Sequence, residues 1–182
     1  LSEISIFVAA FYIGAMVFQF PIGWLSDRID RRILIVATSA IGFIAAVSAI
    51  MVDDFFLIFV GSAFFIGGMS NPLYSLLIAY TNDFLELDDM ASASAGLLFL
   101  NGLGAISGPL LTGYLMTKMG PQGFFIILAT LLGLLTVYGF YRMTQRGISD
   151  VDTSSYATVL PTASAVAVEI AQELAIEAAE EA

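Results

Sequence analysis

The chain has 182 residues, of which 59% are hydrophobic and only 12% are charged. A soluble domain carries about 25% charged residues, so this composition excludes an ordinary soluble fold and favours a membrane protein. The absence of cysteine and histidine excludes disulfides, thiolate metal sites and the commonest general base, and a net charge of −10 argues against nucleic-acid binding.

Five segments are long and apolar enough to cross a membrane, because about 20 apolar residues span roughly 30 Å of hydrocarbon. Acidic pairs, a basic connector and a Gly-Pro turn separate them. The predicted spans cover residues 4–25, 33–52, 55–81, 90–117 and 124–141. The sequence therefore predicts an all-α integral membrane bundle in a lipid bilayer over residues 1–146, and an acidic tail over residues 147–182.

The basic residues predict the orientation, because Lys and Arg concentrate on the cytoplasmic side of a membrane. With five alternating spans, only Lys118 falls on one side. The residues on the other side are Arg28, Arg31, Arg32, Arg142 and Arg146. We therefore predict a cytoplasmic C-terminus in a plasma membrane, with a bacterial inner membrane favoured. Because the chain begins with Leu1 and turns apolar within three residues, we also expect a longer parent protein.

The first connector, residues 23–32, reads Gly-Trp-Leu-Ser-Asp-Arg-Ile-Asp-Arg-Arg and carries five charges. It resembles the signature loop of the major facilitator superfamily, which reads roughly G-x-L-x-D-R-x-G-R-R. The matching positions are Gly23, Leu25, Asp27, Arg28, Arg31 and Arg32. Asp30 stands where the family usually has glycine, which leaves the geometry of the turn open.

The resemblance implies a transporter of twelve helices, arranged in two six-helix halves that rock around a central site. Each half can carry this loop after its second helix, so the chain resembles either helices eight to twelve or helices two to six. We favour the C-terminal half, because the N-terminal half usually has an arginine in its fourth helix and residues 55–81 contain none. The implied partners are the N-terminal half of the same transporter and a small-molecule substrate.

The resemblance also implies that the loop gates the transport cycle. The gating residues would be Gly23, Asp27, Arg28, Arg31, Arg32 and Asp83, the last at the end of the third span. Asp27 is expected to cap a helix of the absent half, and so to have no partner in this chain. Arg28 and Arg31 are expected to pair with Asp83 or with Glu86. The alternative is that the loop charges only set the topology.

Polar side chains inside the spans indicate a candidate cavity, because lipid cannot hydrogen-bond to them. Amide side chains lie on the first, third and fourth spans, whereas the polar residues of the second and fifth spans carry only hydroxyl groups. The candidates are Tyr12, Gln19, Asn71, Tyr74, Ser75 and Asn101. We predict that the first, third and fourth spans surround the cavity and that the second faces lipid. The alternative is that these side chains only hold helices together.

Glycine and proline inside two spans indicate either close helix packing or bending during alternating access. They are Gly67, Gly68 and Pro72 in the third span and Gly104, Gly108, Pro109 and Gly113 in the fourth. The fourth-span set resembles the G-x-x-x-G-P-x-x-G pattern of antiporters in the superfamily. Residues 71–83 and 91–98 resemble its YcaD-type branch more specifically.

Enzyme chemistry finds no support, and neither a metal nor a cofactor is expected. No charged residue lies deep inside a span after Glu3, and no phosphate-cradling loop is present. The function predicted is a permease, with efflux of an organic compound slightly favoured over nutrient uptake. The alternative is a non-transporting membrane scaffold or sensor acting through its tail, which is predicted to be disordered or weakly helical. A channel is a third possibility.

Overall fold

The computed structural model of the protein describes residues 2–51, 55–85, 87–145 and 170. Within them the chain forms α1 (Ser2–Ser26), α2 (Arg31–Met51), α3 (Phe56–Asn82), α4 (Leu87–Met119) and α5 (Gln122–Gln145), and no strand. All five helices are long and apolar enough to cross a membrane. The all-helical fold and its five spans are therefore confirmed, while the predicted tail, apart from Ile170, lies outside the described residues.

Two helix ends differ clearly from the prediction: α5 ends at Gln145 and not at residue 141, and α4 begins at Leu87 and not at residue 90. Asp88 and Asp89 were expected in a loop, but they belong to the first turn of this helix. Acidic residues in a first turn interact favourably with the helix dipole. An acidic pair in the sequence can therefore mark the start of a helix as well as a loop between two helices. At the other end of α4, the turn into α5 uses Gly120, whose φ of 71° is a left-handed conformation that favours glycine.

α2 and α3 form the centre of the packing. α1 lies along α3, α2 packs on both α3 and α5, and α4 packs mainly on α5. Two hydrophobic clusters fill these contacts, one near the α1–α2 connector and one near the opposite end of the bundle. The second cluster includes edge-to-face contacts of Phe7 with Phe124 and Phe125. Within the described residues, α1 and α4 do not touch.

The second span is more buried than the prediction of a lipid-facing helix implied. Half of the residues in its most apolar stretch are buried inside the bundle, the largest share among the five spans. One face packs through small residues such as Ala45, Ala46 and Ala49, while Ile41 and Ile44 are exposed on the other. The scarcity of polar side chains on α2 therefore reflects close helix packing as well as contact with lipid.

The glycines of the third span serve close packing on α1. A Cβ atom added at Gly67 would overlap the Phe11 carbonyl oxygen, and one added at Gly14 would overlap the Phe64 carbonyl oxygen. The two backbones can approach only because neither position carries a side chain. α3 continues as one helix through Pro72.

The small residues of the fourth span behave differently. A Cβ atom added at Gly104, Gly108 or Gly113 would meet no described atom within 4 Å. α4 also continues as one helix through Pro109. Its small-residue pattern is therefore not used for contact with the other helices that the structure describes.

Candidate functional site

The connector between α1 and α2 is a short turn built by Asp30. The backbone N–H of Ile29 donates to the Leu25 carbonyl at 3.0 Å, which extends the last turn of α1. Asp30 Oδ1 accepts from the backbone N–H of Arg32 at 2.9 Å, which makes Asp30 the N-cap of α2. No non-glycine residue among those described has a positive φ. Glycine is therefore not needed at position 30, and the aspartate gains a capping role.

Asp30 also holds the Arg32 side chain. Its Oδ2 lies 2.8 Å from Arg32 Nη2, and both carboxylate oxygens accept from Nε at 3.1 Å. Partial burial raises the pKa of Asp30, but the hydrogen bonds and charge of Arg32 outweigh it and hold that pKa below its ordinary value. The pair is therefore ionised at neutral pH and lies entirely within the connector and the first turn of α2.

Arg31 is the centre of a second, buried cluster, with only 2% of its surface exposed. Its Nη1 donates to Asp83 Oδ1 at 2.6 Å and to the Ala79 carbonyl at 3.1 Å. Its Nε donates to Ser26 Oγ at 3.2 Å. One guanidinium group thus joins the end of α1, the start of α2 and the end of α3.

The position of Asp83 explains why a cation is needed there. Asp83 is the C-cap of α3 and is buried, so its carboxylate lies beside the negative end of the helix dipole and the last free carbonyls. Both features disfavour a buried anion. Arg31 compensates them together, because it donates to the carboxylate and to a carbonyl of the last turn.

One expectation for the loop is wrong, and a second is wrong in the part that the described residues test. Asp27 was expected to have no partner in this chain, yet its Oδ1 lies 3.8 Å from Nη2 of Arg31, four residues further along the connector. Arg28 does not contact Asp83; its guanidinium stacks on the Trp24 ring, 3.8 Å from the centroid, and donates to the Trp24 carbonyl. The spacing of four residues, within one turn, favours these local contacts over distant ones. Glu86 lies outside the described residues.

The remaining loop residue, Gly23, is buried in the last turns of α1.

The cavity candidates are dispersed over three helices. Tyr12 is 66% exposed on α1, while Gln19, Asn71, Tyr74 and Asn101 are partly buried and Ser75 is buried. Because α1 and α4 do not touch within the described residues, the structure does not bring Asn101 against the two candidates on α1.

Hydroxyl pairs between helices were missed from the sequence. Thr136 Oγ1 donates to Ser39 Oγ at 3.0 Å, which links α5 to α2. Ser48 Oγ and Ser62 Oγ lie 3.0 Å apart, which links α2 to α3. Ser and Thr often bond only to their own helix, so no local pattern separates these pairs from isolated hydroxyls.

The described residues contain no group of three or more Asp and Glu that could hold a metal ion.

Comparison with known proteins gives one family. The family model described as Major Facilitator Superfamily matches residues 1–170. The chain is also similar to an uncharacterized MFS-type transporter, YfkF, of Bacillus subtilis (strain 168), with 33% identity over 138 residues. That match covers 72% of this chain and 34% of the relative, so the chain spans about a third of the relative's length. No solved structure matches.

Proposed function

Because the chain belongs to the Major Facilitator Superfamily, we propose that it forms part of a secondary transporter that moves a small solute by alternating access. We further propose that it is the C-terminal half, in a bacterial inner membrane, with the loop and the C-terminus in the cytoplasm. Efflux is slightly favoured over uptake. A membrane scaffold or sensor that acts through the acidic tail is the alternative.

The observation that carries the proposal is the buried Arg31 cluster. A buried ion pair is often no more stabilising than apolar residues of the same size. Its presence therefore favours a role in fixing how two helices align, or in switching between two conformations. Here the pair joins the start of α2 to the end of α3 at 2.6 Å. We propose that it acts as a latch, which holds the connector on α3 in one conformation and releases it in another.

A charge swap in the full-length gene product tests the latch. Arg31→Asp should lower transport at least tenfold while leaving membrane insertion intact, and the Arg31→Asp/Asp83→Arg double variant should regain part of the activity. Arg28→Asp, which reverses an exposed charge in the same loop, is the matched control. Uptake and efflux are followed in cells with ethidium and with radiolabelled sugars and amino acids. Normal transport by Arg31→Asp would contradict the latch and would mean that the loop charges only set the membrane topology.

The proposed cavity on α1, α3 and α4 has its own test. This chain contains no cysteine, so in the full-length gene product only cysteines outside it need to be replaced before single ones are introduced here. Asn71→Cys and Tyr74→Cys should react faster with a water-soluble thiol reagent than Ile44→Cys, which is exposed on the apolar face of α2. Equal labelling at all three positions would contradict a water-filled cavity on the α3 side.

The coding sequence upstream of residue 1 distinguishes the transporter from the alternative, a membrane scaffold or sensor. Further spans and a second signature loop there would support a transporter whose C-terminal half is this chain. A full-length protein that inserts correctly but moves none of the probes, and that retains a partner through its acidic tail, would favour the scaffold.

A further inference from the structure

A cleft opens between α2, α3 and α5 at the end of the bundle that carries the connector. It has a volume of about 70 Å³ and almost wholly apolar walls, which include Ile35, Leu77 and Leu135. Arg32 and Arg142 also line it, one from the first turn of α2 and one from the last turn of α5. An apolar cleft that carries two arginines at one end of membrane-spanning helices matches an amphipathic ligand with an anionic head.

The charges at the cleft are not balanced by the described protein groups. Arg32 is paired with Asp30, as described above. Arg142 donates to the hydroxyl of Tyr138 at 3.3 Å, and no carboxylate among the described residues lies within ion-pairing distance of it. Among the described residues, these two cations and one anion leave a net positive charge at the cleft, although the chain as a whole carries −10.

Tyr80 adds a second, independent observation. It lines the same cleft, and its hydroxyl oxygen is buried with no hydrogen-bond partner among the described residues. A buried polar group is normally satisfied, so the missing partner indicates a group outside the described residues. Tyr80 lies near the end of α3 and Tyr138 near the end of α5, the level at which tyrosine meets lipid headgroups.

We propose that this cleft binds one anionic phospholipid. The phosphate accepts hydrogen bonds from Arg142 and from the Tyr80 hydroxyl, and one acyl chain lies along the apolar walls. A free phosphate ion would leave those walls uncovered, and a zwitterionic lipid would bring a cation towards Arg142. Basic pockets between membrane helices on the cytoplasmic side are a recurring form of headgroup recognition.

The test is native mass spectrometry of the purified full-length gene product with either phosphatidylglycerol or phosphatidylcholine of the same acyl chains. Phosphatidylglycerol should be retained several-fold more strongly. Arg142→Gln should weaken the binding of phosphatidylglycerol about fivefold, because one arginine near an anionic headgroup contributes about 1 kcal/mol. Tyr80→Phe should also weaken it, whereas Arg142→Lys, which keeps the charge, should not abolish it. Arg28→Gln is the matched control, because Arg28 lies at the same end of the bundle but outside the cleft.

Three results would overturn the proposal. Equal retention of the two lipids would show an acyl groove without headgroup recognition. An equal loss in Arg28→Gln and Arg142→Gln would show general attraction of anionic lipid to this membrane face. Binding that does not change in Arg142→Gln or in Tyr80→Phe would show that the lipid is held elsewhere on the full-length protein.

Discussion

At the residue scale, Arg31 has a charge buried where the ends of three helices meet. Its guanidinium group is satisfied by oxygens of Ser26, Ala79 and Asp83, so the cost of removing it from water is offset by directed hydrogen bonds. The balance depends on every partner being present. Removal of the Asp83 carboxylate would take away the compensating charge, and removal of the Ser26 hydroxyl would leave one N–H group of Arg31 without its acceptor.

The first prediction concerns the stability of this cluster. Arg31→Gln should lower the free energy of unfolding of the full-length protein by about 3–5 kcal/mol, because it removes the positive charge that compensates the buried Asp83 carboxylate. Arg28→Gln should cost about 1 kcal/mol or less, since it removes an exposed cation–π contact with Trp24. Unfolding of the purified protein in detergent measures both. Similar losses in the two variants would contradict the assignment of the buried contact to Arg31.

The second prediction concerns pH. The pKa of Asp30 is held below its ordinary value of 3.8, so the ionised side chain stabilises the fold above that value. This stabilisation is lost as the pH falls through the lowered pKa of the folded state. Asp30→Asn keeps a capping side chain but removes the charge. We expect it to be less stable than the natural protein by up to about 1 kcal/mol at pH 6.

The difference should shrink below about pH 4, where the natural carboxylate gains a proton. Unfolding midpoints of the two proteins, measured in the same detergent from pH 6 to pH 3, give this profile. In an Arg32→Gln background the pH-dependent part should shrink, because the charge and the side-chain hydrogen bonds of Arg32 are lost while the backbone N–H at position 32 still donates to Asp30. A difference that stays constant down to pH 3 would show that the charge of Asp30 does not contribute.

At the scale of the helices, glycine has two different roles in one chain. On α1 and α3 it allows two backbones to touch, at Gly14 and Gly67. On α4 the glycines face open space in the described structure. Similar small-residue patterns therefore indicate a packed surface in one place and an uncovered surface in the other.

The third prediction uses this contrast within one helix. Gly67→Ala should destabilise the protein by about 1–3 kcal/mol, because the added methyl group overlaps the backbone of α1 at Phe11. Gly61→Ala lies on the same helix but meets nothing within 4 Å, so it should be neutral or stabilising by up to about 1 kcal/mol. Unfolding midpoints of the two variants provide the comparison. Equal tolerance of both alanines would mean that α1 can move away from α3 without cost.

At the scale of the whole molecule, the connector charges and the end of α5 lie at the same end of the bundle. The α1–α2 connector, the end of α3 and the end of α5 are brought to one side by the alternation of five helices. Arg31 and Arg142 are both on this side, whereas Lys118 ends α4 on the other. Because basic residues remain in the cytoplasm, this side should face it.

The fourth prediction tests that orientation with reporters. Green fluorescent protein fused after residue 146 should fluoresce, and alkaline phosphatase fused after residue 120 should be active, because the first folds in the cytoplasm and the second outside it. The exchanged fusions, phosphatase after 146 and fluorescent protein after 120, serve as controls and should be silent. The reverse pattern would place the connector outside and contradict the cytoplasmic latch.

The sequence by itself determined the number of spans, their order and the charged loop. Apolar length is a local property, and a stretch such as residues 33–52 must be helical in lipid because every backbone group needs an internal partner. The sequence also indicated Asp83 as a partner for an arginine of the loop. It did not determine which arginine, because Arg28 and Arg31 both lie in the same short turn.

Only the tertiary structure decided those partners. It places Arg31 on Asp83 and Arg28 on Trp24, makes Asp30 a helix cap, and pairs Ser39 with Thr136 across a separation of 97 residues. It also shows that Gly67 is needed for contact, whereas Gly108 meets no described atom. The physical reason is that such contacts depend on which faces of distant helices meet. Hydrophobic length and local periodicity do not specify that choice.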